Sequence, residues 1–140
     1  MLYILDTDHL TLLQYQDANV ATNLKKIAQH ERAVTVISLI EQVEGRLAAI
    51  RRARNESDAA IACHYLLQTI EFYKPLRVLP YSDAAVVIYN QLRQQKIRIG
   101  TQDLRIASIA LGLGATVATR NRRDFAQIPS LQMVDWTANS

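Results

Sequence analysis

The sequence lacks the features that mark disulfide-stabilised, secreted or membrane-spanning proteins. Its 140 residues contain one cysteine, Cys63, which excludes an internal disulfide and any CxxC zinc or redox motif. Because Cys63 lies in an apolar helical stretch, we predict that it fills space in the core. No apolar run is long enough to cross a membrane, and residues 2–5 are too short a run for a signal peptide. We therefore expect a cytoplasmic protein folded as one domain over residues 1–140.

The charged residues make the chain mildly basic. The formal net charge is +3 and the pI is about 9.2, which suits a polyanionic partner without requiring one. Many of the basic residues fall in three short clusters, and each cluster alone is equally compatible with a solvated helix end or loop. The clusters are Arg51, Arg52 and Arg54, then Lys96 and Arg98, and then Arg120, Arg122 and Arg123.

Short apolar segments alternate with helical segments along the chain. Strands are predicted where β-branched and apolar residues form brief runs, as in residues 33–37. The helix predicted from Thr101 is apolar almost all round, so it should be deeply buried. This alternation predicts a three-layer α/β/α domain around a mainly parallel sheet of about five strands. Predicted strands cover residues 2–5, 33–37, 77–79, 115–118 and 131–134; predicted helices cover 8–13, 18–30, 38–54, 57–73, a segment after Ser82, and 101–113.

Acidic side chains follow several of the predicted strands. Asp6 comes directly after the first strand, and Glu41 and Asp103 lie in the first turns of two predicted helices. Asn121 and Asp124 fall in the loop after the fourth strand. Ligands of open parallel sheets bind beyond the carboxyl ends of the strands, so we expect these side chains to meet at one edge. Crowded carboxylates repel one another, and a divalent cation such as Mg²⁺ or Mn²⁺ would relieve that repulsion.

Each acidic residue also has a purely structural interpretation. Glu41 follows Ser38 by three residues and would close a capping box at a helix start. Asp103 would complement a helix dipole, and Asp6 would begin a turn after its strand. Asp124 would be an ordinary surface residue in an arginine-rich loop. The functional interpretation is favoured because all of these residues fall at strand ends or at the helix starts beyond them.

Several short motifs occur in a fixed order along the chain. They are Leu5-Asp6-Thr7, Ile37-Ser38 through Glu41 with Gly45, Gly100 through Ala107 around Asp103, Thr119 through Phe125, Ile128-Pro129, and Asp135-Trp136. This ordered set resembles PIN-domain proteins of the VapC-like toxin type over essentially the whole chain. The resemblance implies a PIN-like fold and an Mg²⁺-dependent endoribonuclease, with Mn²⁺ as an alternative ion and tRNA as the favoured RNA. It also implies a homodimeric toxin that a cognate antitoxin protein keeps inactive.

The resemblance also implies roles for individual side chains. Asp6 and Asp103 would be the principal metal ligands, and Glu41 would be the third acidic member, binding the metal directly or through water. Many family members carry an aspartate where this chain has Asn121, so Asp124 would supply the missing charge and complete the catalytic set. The other residues would orient the ligands or the attacking water (Thr7, Thr119 and Asn121) or hold the RNA backbone (Arg120, Arg122 and Arg123).

Two residues beside Asp6 have open roles. Asp8 departs from the family pattern, in which asparagine or serine is commoner, and would either add charge or cap its helix. His9 is the one histidine placed to bind a metal or act as a general base, although a structural role is commoner for such a residue. His30 and His64 lie in helical stretches away from the motifs and are predicted to be structural.

Two other functions fit parts of the sequence. An aspartate pair after a buried strand, Asp6-Thr7-Asp8, is also similar to haloacid-dehalogenase phosphatases, whose first aspartate is a nucleophile. That fold normally needs a longer chain, a catalytic lysine and a late pair of aspartates, none of which is evident. The second alternative is a non-catalytic PIN-like binding or scaffold module, which Asn121 favours because it removes an expected carboxylate.

Overall fold

Five short parallel strands form the centre of the protein. The computed structural model describes residues 1–138 and places the strands in the order β3-β2-β1-β4-β5. Ile4 of β1 lies opposite Ala33 of β2 and Val117 of β4, and every neighbouring pair is parallel. The predicted parallel sheet and the edge position of its last strand are therefore confirmed. The strands are β1 (Tyr3–Leu5), β2 (Arg32–Thr35), β3 (Val78–Leu79), β4 (Thr116–Ala118) and β5 (Gln132–Val134).

Helices connect the strands and cover the sheet. The helix predicted to be buried is indeed the most enclosed, with Leu104, Ile106 and Ala107 all at 0 % exposure. None of the helices within residues 1–138 combines the length and apolar character that a membrane span requires. The helices are α1 (Thr7–Gln14), α2 (Ala18–Lys25), α3 (Val36–Arg51), α4 (Glu56–Tyr73), α5 (Asp83–Gln94), α6 (Thr101–Leu113) and α7 (Arg122–Phe125), with a 3-10 turn at Gln29–Glu31.

The sheet separates two apolar cores because successive strand residues point to opposite faces. Ile4 and Val117 belong to one core, which also contains the buried side chains of α5 and α6. Leu5 and Ala118 belong to the other core, together with Leu10 of α1 and residues near the C-terminal end. Apolar layers on both faces of the sheet confirm the three-layer α/β/α arrangement.

The starts of α1 and α3 differ from the prediction. Thr35 ends β2 and caps α3, because its hydroxyl accepts a hydrogen bond from the Ser38 backbone N–H at 3.2 Å. Ser38 therefore lies inside the helix, and the predicted capping box between Ser38 and Glu41 is wrong. The cap of α1 is Asp6, so the predicted cap at Asp8 is also wrong. In both places the strand runs into the helix with at most one residue between them.

Two other helix boundaries were also predicted wrongly. The helix predicted over residues 18–30 ends at Lys25, and the 3-10 turn Gln29–Glu31 follows it. The cap of α4 is Asn55 rather than Ser57, because the Asn55 side chain accepts a hydrogen bond from the Asp58 backbone N–H at 2.8 Å. The turn after Lys25 thus ends α2 early, whereas the Asn55 cap starts α4 two residues earlier than predicted.

Helices α3 and α4 form a hairpin that is only partly covered by the rest of the protein. The buried residues of α4 are Ala62, Thr69 and Tyr73, and Cys63 is exposed. The prediction that Cys63 fills space in the core is therefore wrong. Position 63 is rotated by about 100° from the buried position 62 and faces solvent. Ile40 of α3 is likewise 39 % exposed. Apolar residues at helical spacing in α3 are therefore not all buried.

Candidate functional site

The candidate site lies where the central strands β1 and β4 end. Asp6 follows β1 directly, and its backbone N–H donates to the carbonyl oxygen of Ala118, the last residue of β4, at 3.1 Å. Asp6 is only 5 % exposed. Its Oδ1 accepts a hydrogen bond from the His9 backbone N–H at 2.8 Å and so caps α1. The helix cap therefore holds the Asp6 carboxylate at the carboxyl edge of the sheet.

Glu41 is held at this edge by a hydroxyl from the neighbouring helix. The Oγ1 of Thr7, the first residue of α1, donates to Oε1 of Glu41 at 2.7 Å. The same Thr7 oxygen lies 2.9 Å from Oγ of Ser38. A hydroxyl has one proton, so the Thr7 proton goes to Glu41 and Ser38 donates to Thr7. Ser38 thus supports the Thr7 hydroxyl that binds Glu41, a role that the sequence analysis missed because it treated Ser38 as a helix cap.

Asn121 joins two carboxylates beyond the end of β4. Its Nδ2 donates to Oδ2 of Asp103 at 3.3 Å and to Oδ2 of Asp124 at 3.0 Å. The backbone N–H of Asn121 donates in turn to Oγ1 of Thr119, at 2.9 Å, and Thr119 is fully buried. The residue that departs from the family pattern therefore binds both acidic neighbours. An aspartate at this position could not donate these two hydrogen bonds in its ionised form.

The carboxylates of the site act on one another electrostatically. The pKa of Asp103 is raised to about 6, first by burial and then by the negative charges of Asp6, Glu41 and Asp124. The hydrogen bond from Asn121 partly opposes this rise in pKa. Like charges raise a carboxyl pKa only when they lie close to it with little screening. The structure thus brings these four acidic residues, which are far apart in sequence, into one negatively charged region.

The donor set of this region suits a hard divalent cation. Ligand atoms of Asp6, Asp8 and His9 all lie within 4.8 Å of one another, and no other trio of His, Cys, Asp or Glu within residues 1–138 is as close. Asp103 is coupled by charge to Asp6 and to Glu41, but Glu41 and Asp103 lie outside that trio. Carboxylate oxygens are the ligands that Mg²⁺ and Mn²⁺ prefer, and a cation would offset the repulsion that raises the pKa of Asp103. The acidic cluster can therefore hold a metal.

Asp8 forms an ion pair with an arginine and does not cap a helix. Nε and Nη2 of Arg120 donate to the two oxygens of Asp8, each at 2.7 Å. This bidentate pair links α1 to the loop after β4, and it raises the pKa of Arg120. Arg120 was predicted to contact RNA, and in this structure its guanidinium is hydrogen-bonded to the carboxylate of Asp8. Arg122 and Arg123 remain exposed on α7 at the border of the site.

The other predicted positions are more scattered. Arg51 ends α3, about 15 Å along the helix from Glu41, so the first basic cluster lies away from the site. His30 and His64 are both exposed, whereas His9 is buried beside Asp6. The position of the Asp135-Trp136 motif next to α1, where the Trp136 backbone contacts His9, was not predicted. That motif is the sequence signal that could have indicated the contact.

Known proteins that resemble this chain agree in length and in fold. Ribonuclease VapC2 from Rickettsia felis is 28 % identical over 142 residues, covering 97 % of this chain and 98 % of that protein. The tRNA(fMet)-specific endonuclease VapC from Salmonella typhimurium is 31 % identical and covers 74 % of each chain. The solved structure of VapBC-1 from nontypeable Haemophilus influenzae is 26 % identical, with a TM-score of 0.77, and covers 99 % of this chain and 100 % of that chain. No protein-family model matches the chain.

Together, the parallel α/β/α fold and the acidic cluster at the carboxyl edge of its sheet define a nuclease of the PIN-domain class. Within that class, the relatives that match this chain over 74–97 % of its length, at 28–31 % identity, are VapC ribonucleases. The chain belongs to the VapC family of ribonucleases. Membership in this family removes the support for a phosphatase of the haloacid-dehalogenase type.

Proposed function

We propose that this protein is an Mg²⁺-dependent endoribonuclease in which Asp6, Glu41 and Asp103 hold the metal, with Mn²⁺ as an alternative. The observation that carries the proposal is the clustering of these carboxylates with Asp124 at the carboxyl edge of the sheet, where burial and then the neighbouring negative charges raise the pKa of Asp103. When bound, a divalent cation would neutralise this charge, polarise a phosphate oxygen and lower the pKa of water. Asp124 would add negative charge to the site as the fourth acidic residue.

The residues around the carboxylates would orient them and receive the RNA. Thr7 would hold Glu41 through its 2.7 Å hydrogen bond. Asn121, supported by Thr119, would fix the separation of Asp103 and Asp124. The exposed guanidinium groups of the third basic cluster would contact phosphate groups of the RNA backbone. The residues of this cluster are Arg120, Arg122 and Arg123.

We propose tRNA as the substrate and an antitoxin as the partner. The tRNA assignment rests on the relative from Salmonella typhimurium that is named a tRNA(fMet)-specific endonuclease. The antitoxin assignment rests on the similarity to the VapBC-1 structure, because VapBC proteins are described as a family of toxin–antitoxin systems. The protein would act in the cytoplasm as a homodimeric toxin, active only when the antitoxin is removed. Growth arrest on expression of the chain alone, reversed by co-expression of the adjacent gene, would support this role.

The decisive experiment compares purified wild type with the Asp6→Asn variant on total RNA. Each protein is incubated with Mg²⁺ or with a chelator, and the cut ends are sequenced. Wild type should cut tRNA only with Mg²⁺ and leave 5′-phosphate ends, whereas Asp6→Asn should not cut. Glu44→Gln is the matched control, because it removes one charge from an exposed position on α3. Binding of Mn²⁺ by wild type without any RNA cleavage would instead favour the non-catalytic binding module.

A further inference from the structure

His9 is a buried polar side chain whose two ring nitrogens face different groups. It lies on α1 at 0 % exposure. Its Nε2 lies 3.1 Å from the backbone nitrogen of Trp136. Its Nδ1 lies 3.4 Å from Oδ1 of Asp6 and has no hydrogen-bond partner within residues 1–138. A buried imidazole nitrogen beside a carboxylate of the acidic cluster, but not hydrogen-bonded to it, calls for an explanation, because buried polar atoms are normally satisfied.

The contact with Trp136 determines which ring nitrogen carries the proton. A backbone N–H can only donate, so Nε2 must accept and must be unprotonated. A neutral imidazole then carries its proton on Nδ1, which faces Asp6. The carboxylate of Asp135 does not change this assignment. It lies 3.8 Å from Nε2, which is too long for a hydrogen bond, and its Oδ1 already accepts from Thr137.

The same tautomer excludes His9 from the set of metal ligands. The proximity of Asp6, Asp8 and His9 would allow all three to hold an ion if Nδ1 had a free lone pair. A protonated Nδ1 has none, and freeing it would require a proton on Nε2 facing the N–H of Trp136. His9 can therefore act on a bound ion only through Asp6.

We infer that His9 is a positioning residue that directs its Nδ1–H to the Asp6 carboxylate, and that the backbone of Trp136 sets the required tautomer. This inference rests on the proposed function, because it concerns how Asp6 is oriented toward a cation. To complete a hydrogen bond, the ring has to move roughly 0.3 Å closer to Asp6 and align its Nδ1–H with the carboxylate oxygen. Such supporting contacts to metal ligands restrict the ligand geometry and increase metal affinity.

The segment that sets the tautomer is firmly held against α1, α2 and β1. Asn23 Nδ2 donates to the carbonyl oxygen of Trp136, and Asn19 Nδ2 donates to that of Thr137, both at 2.9 Å. The indole ring of Trp136 is buried and lies 5.5 Å from the ring of Tyr3. The end of the chain therefore becomes a structural part of the acidic site, more than a hundred residues from Asp6 in sequence.

The first test is ¹⁵N NMR of the His9 ring in the wild-type protein. We expect a protonated Nδ1 and an unprotonated Nε2 at neutral pH. Addition of Mg²⁺ should shift the Nδ1 resonance while the proton stays on Nδ1. A proton on Nε2, loss of the Nδ1 proton on addition of Mg²⁺, or an Nδ1 resonance that does not respond to Mg²⁺ would each overturn the inference. This measurement needs no substitution, so it does not depend on whether a variant folds.

Two substitutions separate the two ring nitrogens. His9→Asn places an amide N–H near the position of Nδ1 and loses the acceptor for Trp136. His9→Gln can place its amide oxygen near the position of Nε2 and loses the donor to Asp6. Calorimetric titration should show Mn²⁺ affinity close to wild type for His9→Asn and about tenfold or more weaker for His9→Gln. Equal weakening in both variants would indicate a merely structural role and would overturn the inference.

The experiments also distinguish this inference from the proposed function. If wild type binds Mn²⁺ but does not cleave RNA, the proposed function fails while the role of His9 in metal binding can still be measured. If wild type cleaves RNA with Mg²⁺ but His9 carries its proton on Nε2, the inference fails and the proposed function stands.

Discussion

Replacing Asp103 with asparagine should stabilise the metal-free protein while abolishing its proposed activity. Burial and the charges of Asp6, Glu41 and Asp124 raise the pKa of Asp103 from 3.8 to about 6. Because the folded-state pKa lies above the unfolded value, ionised Asp103 destabilises the fold at pH values above about 6. As the pH falls from about 6 toward 3.8, Asp103 takes up a proton in the folded state before it does so in the unfolded state. The destabilisation therefore disappears over this pH range.

The size of the effect follows from the shift in pKa. A rise of roughly two units corresponds to about 3 kcal/mol. Asp103 is only partly buried, so solvent screening reduces the expected gain in the free energy of unfolding to about 1–2 kcal/mol. For a domain of this size the gain is roughly 3–8 °C in Tm. Asparagine keeps an oxygen that can accept the hydrogen bond from Asn121, so the change removes charge with little change in shape.

Thermal unfolding followed by circular dichroism, with chelator present, measures this gain. Asp103→Asn should have a higher Tm than wild type at about pH 7.5, and the difference should shrink toward about pH 4.5. Mn²⁺ should raise the Tm of wild type more than that of Asp103→Asn. The control is Glu44→Gln, which removes an exposed carboxylate and should leave Tm nearly unchanged. A Tm for Asp103→Asn equal to or below that of wild type at neutral pH would refute the reasoning.

Three further predictions concern the metal, the RNA and the core. Mn²⁺ affinity of wild type should weaken between about pH 7 and about pH 5, because Asp103 takes up a proton near pH 6; calorimetric titration giving a constant affinity would contradict this. Arg122→Ala should weaken RNA binding and reduce its dependence on salt without changing Tm, because Arg122 is exposed at the border of the site; fluorescence anisotropy with an unchanged salt slope would count against the predicted phosphate contact. Ile106→Ala should lower the free energy of unfolding by about 2–5 kcal/mol, because Ile106 is fully buried in α6; urea unfolding showing almost no loss would mean that α6 is not central to the core.

Much of the fold was predictable from local patterns in the sequence. The β-branched run at residues 33–37 predicted a buried strand; residues 33–35 lie in β2, whereas residues 36 and 37 begin α3. The apolar character of α6 on almost all sides predicted that this helix would be deeply buried. Alternation of strands with helices then predicted a parallel sheet. The strand order β3-β2-β1-β4-β5 was not predictable, because the apolar strands carry no local mark of which neighbour each one pairs with.

The acidic site was predictable in outline for a physical reason. Parallel strands all end at the same edge of their sheet, so residues that follow them, such as Asp6, are placed near one another by topology. Asp103 lies in the first turn of α6 as predicted. The predicted first-turn position of Glu41 is wrong, because α3 begins at Val36 and Glu41 lies in its second turn. Boundary details were less predictable: Thr35 and Asp6 act as helix caps because each strand leads into its helix with almost no turn.

By itself, the amino-acid sequence determined the class of fold and the residues whose charges gather at the edge of the sheet, because periodicity and strand-end position are local properties. Only the tertiary structure decided which side chains support those charges. Asn121 binds Asp103 and Asp124, Arg120 lies on Asp8, and Trp136 sets the tautomer of His9. These contacts depend on side-chain rotamers and on loop positions, which no local pattern encodes, since they arise only when residues far apart in sequence pack together.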